Sequence, residues 1–243
     1  MIRFDILTLF PEMFTGILSS SILKRAIEKK QIEVNLIDFR EFSTNKHHTV
    51  DDYAYGGGAG MLISVEPIHL ALKTIPNLDN AHVILTSPIG KTFNQETAKA
   101  YSEKEHIVII CGHYEGIDDR IHHYIDEEVS IGDYVLTGGE TPAMIIVDAV
   151  SRLVDGVISS DSIKDETFNN NLLEYPQYTR PAIYDGHAVP DVLISGHHAK
   201  IEEFKKYESI KRTYKYRPDL LEKANLSKEE LKMLEAIKNE ENN

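Results

Sequence analysis

Residues 2–10 alternate between apolar and polar closely enough to predict a strand, and Pro11 then stands where a helix can begin. Ile17, Ile22, Leu23, Ala26 and Ile27 recur at helical spacing, with Lys29 and Lys30 where cations favour a helix end. Residues 32–39 read as a second strand. Residues 43–60 are polar, then glycine-rich, and are expected to form a functional or mobile loop. A helix follows over 67–75, then a short buried strand over 82–86 that stops at Ser87-Pro88. Asn94 is placed to cap a helix running to about Lys104. Residues 107–111 are five apolar positions in a row, the pattern of a strand buried on both faces. A short helix over 117–124, a strand over 129–136 and a strongly apolar helix over 140–154, with Pro142 in its first turn, complete this half.

Strands alternating with helices predict an α/β layer built on a largely parallel sheet. After Gly156 the character changes: Ser, Asp and Asn dominate through Asn171, as in a linker or lid. The remainder is mostly helical, with Leu226, Leu231, Leu234 and Ile237 lining one side of a last helix capped by Ser227. The expected division is a sheet domain over 1–156, a linker over 157–175 and a smaller helical domain over 176–243. Strand order does not follow from periodicity, and ordinary topology rules argue against a knot.

At 243 residues the chain is long enough to bury a substantial core in one or two domains. No apolar run is long enough to span a membrane, and the first residues make a poor signal peptide, so the cytoplasm is the expected location. The lone cysteine, Cys111, excludes an internal disulfide and any multi-cysteine zinc site. A net charge of -13 argues against a protein that coats nucleic acid indiscriminately. Between 200 and 217, however, seven Lys and Arg stand against three Glu, with Tyr207, Tyr214 and Tyr216 interleaved. That mixture suits phosphates and unstacked bases, and equally a solvated helix face.

Candidate chemistry concentrates in two glycine-bearing stretches, CGHYEGIDDR over 111–120 and SIGDYVLTGGETPAM over 130–144. Each interrupts or follows an apolar β-branched run, which in an α/β protein is where a ligand meets backbone amides and helix starts. A third run, Gly56-Gly57-Gly58-Ala59-Gly60, lacks the Gly-Lys-Ser/Thr of a P-loop and the spacing of a dinucleotide fingerprint. His113, His122 and His123 lie near Glu115, Asp118 and Asp119, and His197 and His198 form a second pair. Neither has the tight spacing of a zinc site, so surface histidines are expected and no metal ligand is assigned. Nucleophilic hydrolase chemistry is unsupported, as no G-x-S-x-G occurs.

TSPIGK over 86–91, with the two glycine-bearing strings, resembles the three S-adenosylmethionine-binding loops of bacterial tRNA (guanine-N1)-methyltransferases, the TrmD family of the knotted SPOUT class. DILTLFPEMF near the start, YGGGAGM, LLEYPQYTRP and LISGHHAKI are similar too, so the likeness covers nearly the whole chain. It implies a trefoil-knotted parallel-sheet domain, a helical tRNA-binding domain and a homodimer. It further implies methyl transfer to N1 of the guanosine immediately 3′ of the anticodon, at position 37. A related knotted methyltransferase acting on another RNA site, or a non-enzymatic RNA binder keeping the fold, are the alternatives.

By that resemblance the cofactor is held by Ser87, Pro88, Gly112, Tyr114, Glu115, Gly116, Ile131, Gly132, Asp133, Tyr134, Val135, Leu136, Gly138, Gly139 and Pro142. Guanine N1 carries a proton at neutral pH, so an acid must remove it and a cation must stabilise the charge that develops toward O6. Arg152 matches the family's arginine. The acid falls at Glu166, with Asp165 adjacent, where the order Asp165-Glu166-Thr167-Phe168 departs from the family's Asp-Ser-Phe. Tyr55, Gly57 and Gly58 are expected near the target base. Tyr178, Arg180, Gly196, His197, His198, Lys200, Arg212 and Arg217 are expected along the RNA. Family members use magnesium, but no carboxylate cluster identifies a site.

Overall fold

The computed structural model describes residues 1–159 and 167–241, grouped in two compact units, Met1–Ser160 and Asp161–Asn243. In the first, strands β1 (Ile2–Thr8), β2 (Ile32–Asp38), β5 (His82–Thr92), β6 (His106–Cys111) and β7 (Glu127–Ser130) form one sheet in the order β2-β1-β6-β5-β7. Every neighbouring pair in it is parallel. β6 is the central strand and all six of its residues are buried, as its unbroken apolar run requires.

Alternation along the strands sorts side chains onto two cores. Phe4, Ile6, Ile107 and Ile109 face one side, where they meet Leu23 and Ala26 of α2 (Ser21–Glu28), Ala98 of α4 (Gln95–Ser102) and Ile146, Val147 and Val150 of α5 (Glu140–Ser151). Leu7, Val108 and Ile110 face the other, against Ile68, Ala71 and Leu72 of α3 (Val65–Leu72). Asn94 caps α4 as its sequence suggests, its side-chain oxygen accepting from the Thr97 N–H at 2.9 Å.

Five elements differ from expectation. The helix anticipated through Ile17 to Ile27 is broken into α1 (Thr15–Leu18) and α2, with Ser21 at φ 51° at the break. The glycine-rich loop is a hairpin, β3 (Asp51–Tyr53) pairing antiparallel with β4 (Met61–Ile63). β5 continues past Ser87-Pro88 because its register on β7 slips between Thr86 and Lys91, both of which pair with Val129. β7 ends at Ser130 rather than 136, since Gly132 at φ 146° leaves the extended region. Residues 119–123 form a 3-10 turn in place of an α-helix.

In the second unit, a small hairpin of β8 (Ile183–Tyr184) and β9 (His187–Ala188) precedes α6 (Asp191–Ile194), α7 (His198–Tyr216), α8 (Pro218–Leu221) and α9 (Lys228–Glu241). Its core gathers Ile210, Leu234 and Ile237, with Leu172, Tyr207 and Leu226 packed around them. Leu231, expected on that face, is exposed. Ser227 caps α9 reciprocally: its hydroxyl accepts from Glu230 N–H at 3.3 Å, and Glu230 accepts from Ser227 N–H at 2.7 Å.

Candidate active site

The loops that leave the carboxyl ends of β5, β6 and β7 meet around one cavity of about 280 Å³. The first is the four-residue excursion that the register slip forces out of β5 at Ser87 and Pro88. The second opens at Gly112, where Tyr114 adopts φ 58° and turns the chain sharply. The third runs from Ile131 to Gly139 and delivers the chain into α5. Of the residues expected to hold a cofactor, all except Asp133 line this cavity, and Asp133 is exposed beside it. Thr86, His113 and Thr137, within the same three strings but not singled out among the cofactor residues, line it too.

Gly139 is where the three loops lock together. Its N–H donates to Gly112 O at 2.8 Å, and a Cβ added there would overlap Thr86 Oγ1 and stand 2.8 Å from Cys111 Cα and Gly112 N. Only glycine allows this approach. Thr86 in turn donates to Ile110 O at 3.1 Å. The hairpin β3–β4 is fastened to the second loop by three backbone bonds: Ile63 N–H to Gly116 O, Glu115 N–H to Met61 O and Asp118 N–H to Ile63 O. The glycine run at its tip, with Gly57 and Gly58 both at positive φ and Tyr55 fully exposed, is thereby carried on the same loop that lines the cavity.

Beneath the cavity lies a buried carboxylate. Glu140, the first residue of α5, is 1% exposed and accepts from Thr8 Oγ1 at 2.7 Å. Its other oxygen is 2.6 Å from His113 Nε2, and the imidazole leans against the Phe10 ring at 4.8 Å. The expectation of a surface histidine at 113 is therefore corrected: its side chain is only 17% exposed, because burying the Glu140 carboxylate requires a donor on that side. Nothing local in the sequence signals this triad, since Thr8 and Glu140 are 132 positions apart. Burial, and then the charge of Glu140, push the Cys111 thiol well above its ordinary range. His122, by contrast, is half-exposed and pairs with Glu128 and Asp119. Among the described residues no group of three or more His, Cys, Asp or Glu is arranged to hold a metal ion.

Arg152 caps the far end of α5, its N–H bonded to Asp148 O at 3.2 Å. Twelve helical residues, Glu140–Ser151, separate it from Gly139, so it stands at the other end of α5 from the third loop. Asp165 and Glu166 lie outside the described residues.

In the second unit the residues expected along RNA are grouped about α7. Gly196, His197, His198 and Lys200 are exposed at its amino end, Arg212 is exposed in its last turns, and Tyr178 and Arg180 are exposed on the preceding segment. Arg217 is held in a fork by Asp219 at 2.9 and 2.7 Å and lies 5.8 Å over the Phe168 ring, so part of its charge is already answered. Lys205 lies over Tyr175 at 5.1 Å and Lys215 over Tyr216 at 5.3 Å. Thr167, Tyr175, Arg212 and Tyr216 border one shallow groove. α7 also clamps the chain that enters it. Ser209 Oγ donates to Leu173 O at 2.6 Å, and Thr213 Oγ1 accepts from Leu173 N–H at 2.9 Å.

A family model described as tRNA (Guanine-1)-methyltransferase TrmD matches residues 2–223. A tRNA (guanine-N(1)-)-methyltransferase of Dictyoglomus turgidum is 52% identical over 99% of this chain and 98% of its own. Enzymes of that name from Clostridium botulinum, covering 96% of this chain and 97% of their own, and from Caldanaerobacter subterraneus subsp. tengcongensis, covering 95% and 96%, are each 53% identical. With three loops closing one cavity at the carboxyl edge of a parallel sheet and likeness along the whole length, the chain belongs to the tRNA (guanine-1)-methyltransferase TrmD family.

Proposed function

We propose that this chain methylates N1 of the guanosine immediately 3′ of the anticodon, position 37 of tRNA, with S-adenosylmethionine as donor. The observation that carries the reading is the single cavity made by the three loops, in a chain whose relatives bear that enzyme's name over their full length. The cavity fits such a group. It approaches the roughly 300 Å³ at which small-molecule sites begin, glycines form much of its wall, and among the described residues no Lys or Arg lines it to repel a cation. When bound, the donor supplies an activated methyl group for in-line transfer.

The chain's own part is alignment and proton handling. Backbone groups of the third loop, with Ser87 and Tyr114, hold and orient the donor and keep water away. Glu166, or its neighbour Asp165, takes the proton from guanine N1, and Arg152 stabilises the negative charge that develops toward O6. A guanidinium suits that role better than an ammonium because its planar fork is fixed. As the family likeness implies, the working unit is a homodimer, in which a second copy supplies Arg152 from the far end of its α5. The third loop feeding α5 back beneath the sheet is consistent with the family's trefoil knot. The exposed basic face around α7 takes the phosphates, with Tyr178 and the Tyr175–Tyr216 groove offering stacking surfaces for unpaired bases.

The test is transfer of labelled methyl from S-adenosylmethionine to paired tRNA transcripts carrying guanosine or adenosine at position 37. Label is expected only in the guanosine transcript, and at least a hundredfold less with Glu166→Gln if that residue is the base. Equal labelling of both transcripts overturns the guanine assignment. Full activity in both Glu166→Gln and Asp165→Asn overturns the assignment of the base.

A further inference from the structure

The buried carboxylate of Glu140 has no part in holding the donor by direct contact or in activating guanine, yet it sits immediately behind the cavity. Gly138 and the His113 ring stand between: a Cβ at Gly138 would lie 2.8 Å from Glu140 Oε2 and would overlap the imidazole, and both Gly138 and His113 line the cavity. Its hydrogen bonds come from a hydroxyl and an imidazole, at 2.7 and 2.6 Å, and neither donor is a Lys or Arg. The charged side chains lining the cavity are also one-sided. Glu115 is there, and among the described residues no Lys or Arg is. The amino end of α5 contributes roughly half a positive charge at this place, which offsets the carboxylate only in part.

We propose that Glu140, held by Thr8 and presented through His113, gives the cavity a negative potential that makes it prefer a cationic donor to the neutral thioether left after transfer. The inference rests on the reading of the cavity as the S-adenosylmethionine site and goes beyond it, naming a residue that sets donor over product. A fixed charge screened by protein rather than by water acts strongly over a few ångströms, so a sulfonium in the cavity feels it while a thioether of nearly the same shape does not. Glu140 is thus a positioning and selectivity residue that acts across the cavity wall. Its effect is to let the product leave after each turnover without weakening the grip on the next donor.

Titration calorimetry of the full-length protein with S-adenosylmethionine and with S-adenosylhomocysteine measures the preference as a ratio of Kd values. Glu140→Gln keeps the shape and one acceptor oxygen but removes the charge. It is expected to weaken S-adenosylmethionine about tenfold while S-adenosylhomocysteine stays within about twofold. Glu140→Asp, which restores the charge, is expected to recover much of the ratio. Thr8→Val, which loosens the carboxylate without discharging it, should lower thermal stability and leave the ratio in place. Should Glu140→Gln not fold, His113→Lys sets a compensating cation against the same carboxylate, and the ratio should fall in the same sense. Equal weakening of both compounds, or of neither, overturns the proposal while leaving the cavity as the cofactor site. Failure of the unaltered protein to bind either compound overturns both readings.

Discussion

At the scale of single residues, the site depends on how closely backbone passes backbone. Gly139 is the sharpest case: its neighbours at 2.8 Å are main-chain atoms of the second loop, which cannot rotate away as a side chain would. Gly139→Ala is therefore expected to cost about 1–3 kcal/mol and to abolish donor binding, measured by thermal melts and calorimetry. An unshifted melting temperature would mean that the loops are not locked there. Gly112 differs, since a Cβ there would meet Ile117 at an ordinary 3.6 Å. Gly112→Val should fold normally and fill the cavity floor. That these glycines, Ser87, Pro88 and most of the run from Ile131 to Leu136 would share one cavity was legible because motif and glycine density coincide within short windows, although Asp133 stands outside the lining. The Thr8–Glu140–His113 triad was not, because its members come from β1, α5 and the second loop and each is unremarkable among its neighbours.

At the scale of elements, period and apolar runs located all five strands of the main sheet, and β6 in particular read as doubly buried. What they misjudged were ends. β5 was expected to stop at Ser87-Pro88, a reasonable stop signal, but pairing of Lys91 and Thr92 with β7 resumes beyond it. The hairpin β3–β4 was hidden because its pairing partner, the loop after β6, is more than fifty positions away. Elements are also tied at their amino ends. Glu127 opens β7 and is met by Tyr101 O–H of α4 at 2.8 Å and by His82 Nε2 of β5 at 2.6 Å. Burial pushes its carboxyl up, but these two hydrogen bonds, together with the charges of His82 and Lys91, hold it below the ordinary range. With the folded value below the unfolded one, its stabilisation is complete above the ordinary carboxyl pKa of about 4.3 and is lost as pH falls through the lower folded value. Thermal melts across pH 3.5 to 7 should show Glu127→Gln less stable than the parent at neutral pH, with the gap closing in acid. A constant gap would contradict this. In the second unit, Thr213→Val leaves the Leu173 N–H without its acceptor, and a loss of about 1–3 kcal/mol is expected in denaturant unfolding.

At the scale of the whole molecule, charge and site point the same way. A chain of net charge -13 does not grip RNA everywhere, which favours the proposed binding to the basic, aromatic face of α7. Among the described residues no helix is long and apolar enough to cross a membrane. The proposed homodimer, in which a second copy supplies Arg152, has a direct consequence for assembly. Arg152→Ala and Gly112→Val should each be inactive alone, yet mixed and reassembled dimers should recover activity, because one of their two sites draws an intact cavity from one chain and an intact arginine from the other. No recovery after verified exchange would place the arginine and the cavity in the same chain.

The most direct test of the central claim is the identity of the methylated nucleoside. A guanosine-37 transcript incubated with the protein and labelled S-adenosylmethionine, digested and separated, should yield its label as 1-methylguanosine from position 37, and none with Gly112→Val. Label on a ribose, on another base, or undiminished when the cavity is filled would contradict it.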